Sequence, residues 1–365
     1  LPAIFNKGGF PLYPKVYAYL ERIQENAKFL KSLCTDSGVE IIGVTKVVCG
    51  EPTIAHALKE CEIEILGDSR VQNIKKMRNS DIKGPFMLLR IPMISELDDV
   101  AKYVDYTLIS DLEISKKLGN VSSKFNKRSK VIYMVDVGDL REGVWFEKAV
   151  SEISKAIDIE GIEVVGIGTN LGCFGGVIPD ETNMERLVKI KEEIQRETGK
   201  TLEIISGGNT AALPLIEKGS LPKGVNQYRL GESIICGTDA TNNRNVPGTR
   251  QDTIILEAEI VELKEKPSVP YGNIGYDAFG RKPKFKDKGN RVKGILAVGE
   301  QDVDPTSMYP LDKNIEILHA SSDHTIVDLT ESKVSYKVGD KIRFRLGYSS
   351  VLRTFTSPYV EKVIL

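Results

Sequence analysis

The sequence predicts an α/β fold followed by an all-β one: a (β/α)8 TIM barrel and then a smaller C-terminal β domain. Two observations carry this. From about residue 15 to 240, short β-branched runs alternate with longer amphipathic stretches, and the roughly eight repeats are the number that closes such a barrel. Past residue 240 helical spacing stops, and alternating runs between Gly, Pro, Asn and Asp clusters take over. A chain of 365 residues fits two domains at about 150 residues each.

The candidate barrel strands are EIIGVTKVV near 40, IEILGDS near 63, PFMLLRI near 85, DYTLIS near 105, KVIYMVDVG near 130, EVVGIGTN near 163, LEIISGG near 202 and GVNQYRLG near 224. Amphipathic stretches separate them, as in Val16 to Leu33, where Leu20, Ile23, Ala27 and Leu30 keep helical spacing. An open doubly wound sheet has fewer strands and starts with a Gly-rich phosphate turn, which is absent here. TDATNNRNVPGTRQ reads as a linker. After it, TIILEAEIVEL, VKGILAVG, IEILHA, HTIVDL and KIRFRLGY read as strands. The stretch EKPSVPYGNIGYDAFGRKPKFKDKGN, carrying Tyr271, Tyr276 and Phe279, reads as a long functional loop. The expected division is 1–13 as an extension, 14–240 as the barrel and 241–365 as the β domain.

Composition narrows the function. Fifty Lys and Arg against 51 Asp and Glu leave a net charge of −1, unlike a binder of nucleic-acid phosphates. No run approaches the ~18 apolar residues of a membrane span, and residues 1–13 lack a signal-peptide pattern. Five scattered cysteines without a CxxC pair suit a reducing cytoplasm. The histidines His56, His319 and His324 do not make a metal site, so no metal is expected.

Barrel enzymes carry their chemistry at the C-terminal ends of strands. The first strand ends at Lys46, an amine at the edge of an apolar run. It reads either as a nucleophile for a carbonyl or as a strand cap snorkelling to water. The fifth leads to Arg141, suited to a carboxylate or phenolate oxygen, and the sixth to Asn170 in a Gly-rich loop. The seventh ends in Ser206, Gly207, Gly208, Asn209 and Thr210 before a helix, a phosphate cradle or an ordinary N-cap. The eighth offers Arg229 and a turn at Gly231. Together a lysine, a phosphate cradle and an arginine describe a pocket for a phosphorylated aldehyde, and pyridoxal 5′-phosphate is the natural candidate.

The passages VTKVVCGEP, LGDSRVQN, DVGDLREG, SGGNTAAL, YRLGE and HASSDHTIVDLTE resemble the alanine racemase fold family of pyridoxal-phosphate enzymes, fold type III, and within it the ornithine racemase branch. The resemblance runs from about Tyr13 to the C-terminus. It implies an amino-acid racemase acting on ornithine or a related basic amino acid. Lys46 takes the place of the Schiff-base lysine and works as base on one face of the substrate. VPYG implies Tyr271 as the opposite base, with Tyr276 as competitor, reaching into a partner's barrel in a homodimer. Arg229 takes the place of the arginine facing the pyridine nitrogen, which it keeps unprotonated because a guanidinium holds its own proton. Ser206, Asn209, Thr210, the Gly231–Glu232 turn and Tyr348 fall at cofactor positions, the last three of them for the phosphate. Arg141 and Ser322 fall beside the substrate carboxylate.

Three departures point to a substrate longer than alanine. Gly50 stands where alanine racemases have a phosphate-binding tyrosine, Asn170 where a histidine stacks on the ring, and Met134 where some carry a carbamylated lysine. Other readings remain open here. One is a racemase of alanine or serine. Another is a fold-type III decarboxylase, which wants an acidic partner for the ring nitrogen and a second-domain cysteine. The third is a pyridoxal-phosphate homeostasis protein, which LGDSRVQN also resembles but which has no β domain.

Overall fold

The computed structural model describes residues 12–365, so most of the expected extension at 1–13 lies outside the described residues. Two compact units make up the chain: Glu21–Arg250, and the stretch ending at Leu20 together with Gln251–Leu365.

In the first unit, eight parallel strands among the described residues form a closed barrel. They are Glu40–Val44, Ile65–Asp68, Phe86–Leu88, Tyr106–Ile109, Ser129–Asp136, Ile162–Gly168, Ile204–Ser206 and Gln227–Leu230. Each pairs with the next, and the eighth returns to the first with Arg229 opposite Ile42. Strands covered on both faces read as unbroken apolar runs, and Ile65–Asp68, Phe86–Leu88 and Gln227–Leu230 are buried throughout. Ile42, Ile65, Met87, Leu108, Ile132 and Met134, from five consecutive strands, form one apolar cluster.

The helices follow their sequence signals. Ile23, Ala27, Leu30 and Cys34 give the helix over Leu20–Thr35 its buried face. Asp111 caps Leu112–Lys124 by accepting from the N–H groups of Glu113 at 2.8 Å and Ile114 at 3.0 Å. Asp180 and Asn183 form a reciprocal cap on Glu181–Thr198, which ends at Gly199 in the left-handed conformation.

The second unit is a mainly antiparallel sheet built on one long strand, Ile254–Pro267. Its first half pairs with Lys341–Leu346, and its second half pairs with Asn290–Leu296. Lys341–Leu346 alternates exposed and buried residues, as a sheet with one covered face requires. The helical spacing read from Val16 begins only at Leu20. Lys15–Ala18 is instead a strand of this sheet, antiparallel to Ile254–Glu257 and parallel to Glu361–Ile364. The units therefore meet in sequence at 20/21 and 250/251, where the sequence reading placed 13/14 and 240/241. The long loop lies between Pro267 and Asn290, starting three residues later than read because Glu265, Lys266 and Pro267 still pair across the ladder.

Asn26 ties the first helix of the barrel unit to the segment after the eighth strand. Its Nδ2 donates to Ile234 O at 3.1 Å and Arg250 O at 2.9 Å, and its Oδ1 accepts from Arg250 N at 2.6 Å. Asn26→Ala should cost about 2–3 kcal/mol by leaving buried backbone groups unpaired. The check is a lowered urea midpoint at unchanged m-value.

Candidate active site

The ends of the first and second strands are bolted together under Lys46. Thr45 Oγ1 donates to Asp68 Oδ2 at 2.8 Å. Asp68, fully buried, also accepts from Arg70 N and Asn73 Nδ2 at 2.9 Å each. Burial pushes the Asp68 carboxyl up, and these three donors and the nearby Lys46 oppose it. Lys46 lies two residues past the strand, opening a tight helical turn over Lys46–Val48, and is half-buried. That turn ends at Gly50, φ +57, where a Cβ would come within 2.8 Å of Asn73 Cβ. Gly50 therefore lets the lysine loop lie flat on the helix over Val71–Asn79.

Because the eighth strand pairs with the first, Arg229 stands next in the barrel wall. It is buried, with Nη1 donating to Ser206 Oγ and to Ser206 O at 3.3 Å, and Nη2 donating to Thr169 O at 2.6 Å. These bonds span the ends of the sixth, seventh and eighth strands and, among the described residues, leave Nε and the second N–H of Nη2 without an acceptor. Burial lowers the guanidinium pKa to about 10, which keeps it charged at neutral pH.

The two turns past the seventh and eighth strands are stitched by Thr210, whose Oγ1 donates to Ser233 Oγ at 3.1 Å and accepts from Ser233 N at 3.2 Å. Asn209 uses Oδ1 to cap Ala211 N at 2.8 Å. Among the described residues, the N–H groups of Gly208, Asn209 and Thr210 have no acceptor, as expected where a chain turns into a helix. Gly231 presses on Val44, where a Cβ would stand 3.0 Å from Val44 Cβ. The Glu232 side chain turns to Thr238 Oγ1 at 2.7 Å and Ala240 N at 2.9 Å, so what this residue offers an anion is backbone. Burial raises its carboxyl to about 7, with Asp239 adding to the rise and Lys46 opposing it.

The rim loops past the fifth and sixth strands meet through Asp139, which sequence reasoning missed. This carboxylate is 1% exposed and accepts four backbone N–H groups: Gly172 and Val177 on Oδ1, both at 3.1 Å, and Cys173 and Phe174 on Oδ2 at 3.1 and 2.9 Å. Burial alone would raise its pKa; the four donors outweigh that and hold it below the usual range. The clamp brings Asn170 to Asn209, Nδ2 of the latter donating to Asn170 Oδ1 at 3.0 Å. It also brings Arg141 and Glu142 beside Asn170.

Lys46, Asn170, Ser206, Asn209, Thr210, Arg229, Gly231, Glu232 and Arg141 thus share one end of the barrel. Tyr271, Tyr276, Ser322 and Tyr348 belong to the other unit. There Tyr271 is 95% exposed and Tyr276 75%. Their loop is pinned just beyond them by Asp277, which takes Arg281 Nε at 2.7 Å, while Arg281 Nη1 reaches Glu300 at 2.7 Å. Ser322 is exposed in a turn and donates to Asp323 Oδ1 at 3.3 Å, and Tyr348 opens the helix over Tyr348–Thr356, half-buried.

Asp139→Asn puts an amide where two N–H groups need an acceptor. Hydrogen exchange should show the amides of Gly172, Cys173, Phe174 and Val177 losing most of their protection while the barrel strands keep theirs. Glu232 supplies a pH test. Its carboxyl is at about 7 folded against about 4.3 unfolded, so the fold loses stability as pH rises between those values. Glu232→Gln should flatten that decline in a series of urea melts from pH 4 to 8.

Residues 19–238 match the family described as alanine racemase, N-terminal domain. Over nearly its full length the chain is 49% identical to a lysine racemase of Thermotoga maritima, covering 96% of this chain and 98% of that one. It is 46% identical to an ornithine racemase of Acetoanaerobium sticklandii, covering 97% and 100%. Among solved structures it superposes on an alanine racemase of Clostridium difficile 630 with a TM-score of 0.72 at 18% identity, covering 98% and 97%. A D-threonine aldolase from Filomicrobium marinum gives 0.71 at 15%, covering 94% and 88%. The chain therefore belongs to the alanine racemase family, a family of amino-acid racemases.

Proposed function

We propose that the chain racemises a basic amino acid, ornithine first and lysine next, with pyridoxal 5′-phosphate, as a homodimer whose sites are shared between subunits. Arg229 carries this reading. A buried guanidinium anchored by both Nη groups is a rigid donor, and a donor that holds its proton suits the pyridine nitrogen of a ring kept unprotonated. The rest of the barrel end fits the same group. The N–H groups of Gly208, Asn209 and Thr210 suit a phosphate, and the glycine at 231 leaves that turn without a side chain of its own. Tyr348 would add a phenol to the phosphate, and Asn170 would lie against the ring.

When bound, the cofactor supplies an electron-withdrawing ring that acidifies the substrate Cα–H. The chain's part is to hold and move protons. Lys46, which would also hold the cofactor through its aldehyde, takes or returns the Cα proton on one face with Nζ. The phenol of Tyr271, from a second copy of the chain, does so on the other, so that configuration inverts without turning the substrate. Arg141 binds the substrate carboxylate, and in the shared site Ser322 would spare room for a longer substrate with its small side chain. The full-length relation to racemases of lysine and ornithine supports a basic substrate. The aldolase of the same fold shows why the barrel by itself does not choose the reaction.

Loss of optical rotation with L-ornithine, L-lysine, L-alanine and L-serine tests the reading; the basic pair should turn over fastest. Lys46→Ala should abolish covalent cofactor absorbance and activity together. Tyr271→Phe should keep the cofactor and lose at least about a hundredfold in racemisation. Near-normal turnover in that variant would move the second base to Tyr276.

A further inference from the structure

We propose that Glu142 is a positioning residue: its carboxylate fixes the guanidinium of Arg141 in the attitude that takes up the carboxylate of the amino-acid substrate. The inference rests on the role given to Arg141 above.

The geometry is a two-point grip. Arg141 donates through Nη2 to Glu142 Oε1 at 2.5 Å, and its Nε lies in ion-pair contact with Glu142 Oε2. One edge of the planar fork is thereby occupied and its rotation stopped. The opposite edge, made of Nη1 and the second N–H of Nη2, keeps the spacing for a second carboxylate. Neighbouring residues face each other this way because the turn is shaped for it. Gly138, Leu140 and Gly143 all have positive φ, and a Cβ on Gly143 would run into the backbone of Val135 and Asp136. Asp136 Oδ1 holds the turn from below, accepting from Gly138 N at 2.8 Å and Leu140 N at 3.2 Å.

Glu142 is also tied on its far side. Asn170 Nδ2 approaches Oε1 at 3.4 Å, and the same Asn170 is held by Asn209 at 3.0 Å. The Asp139 clamp makes this approach possible by binding the Asn170 loop to the Arg141 loop. Arg141 and Arg229 repel each other, and Glu142 attracts both. A second guanidinium is thus kept near the first without driving it from the rim. Asp139 and Cys173 also act on Arg141 through space, but the carboxylate in contact with its guanidinium is that of Glu142. Asp136 and Asp139 are spent on backbone N–H groups, and Met134 is apolar and fully buried. The Glu142 side chain itself is only 20% exposed, against 40% for Arg141, so the pair is partly shielded from screening.

The experiment uses the cofactor-loaded enzyme and two ligands: L-ornithine for turnover, and propionate, a carboxylate with no ammonium, for binding by competition. Glu142→Gln should raise the KM for ornithine and the Kd for propionate by about tenfold each, with kcat within about threefold and the cofactor absorbance unchanged. Arg141→Lys should do the same or more, and the double variant should lose no more than Arg141→Lys alone. Added acetate or formate should partly restore Glu142→Ala by refilling the vacated carboxylate site. A normal KM in Glu142→Gln would overturn the proposal. So would a loss confined to ornithine with propionate binding intact, because Glu142 would then be holding the distal ammonium. Should Arg141→Lys bind both ligands normally, the role assigned to Arg141 falls, and this inference falls with it.

Discussion

The return of the eighth strand to the first is the constraint on which the site depends. Barrel closure is a backbone matter, a ladder of parallel hydrogen bonds that sets Arg229 opposite Ile42. Yet it decides the chemistry, because it sets the last strand beside the first, so that Arg229 and Lys46, some 180 residues apart in the chain, come to the same end of the barrel. An open sheet with the same strands would leave them at opposite edges. The carbonyls that receive the Nη groups of Arg229 come from the ends of the sixth and seventh strands, which the same ladder sets in sequence beside the eighth.

Around that wall, carboxylates are sorted by what they hold. Asp68 and Asp139 are buried and saturated with donors, and each fixes a loop rather than meeting a substrate. Glu232 is turned onto its own following strand. Taking a charge out of water is costly unless each lone pair is satisfied, so these acids act as internal fasteners. The arrangement leaves the mouth rich in guanidinium and backbone N–H groups, the balance that the proposed cofactor and substrate, both bringing negative charge, would need.

Much of this was legible in the sequence, for definite reasons. Strands buried on both faces show as apolar runs, and their C-terminal ends put Lys46, Arg229 and Thr210 at one end of the barrel, where the structure also has them. Lys15–Ala18 was not legible, because Val16 happens to keep helical spacing with Leu20 and Ile23 while its pairing partners lie more than 200 residues away. Asp139 gave no signal either: an aspartate in a Gly-flanked turn is ordinary, and only the fold shows that four amides of another loop converge on it. Glu142 was hidden for a similar reason, since an acid next to an arginine in a polar turn is unremarkable until the guanidinium is seen to bond it. The turns at Thr210 and Gly231 were found, but their division of labour was not: side chains there stitch the protein together and backbone is what remains for a ligand.

The strand Lys15–Ala18, set between Ile254–Glu257 and Glu361–Ile364, has a consequence for the order in which the molecule is made. On a ribosome a chain emerges from its N-terminus, so this strand appears before either of its mates. The whole barrel, Glu21–Arg250, is synthesised before either partner exists. The β unit is therefore a discontinuous body with the barrel inserted into it, and its sheet stays unfinished until Glu361–Ile364 has been made. At the rates of protein synthesis, about 5–20 residues per second, that is a wait of many seconds for an edge that presents unpaired backbone. Its brevity, four residues flanked by a proline and carrying a lysine, is the protection such an edge needs while it waits.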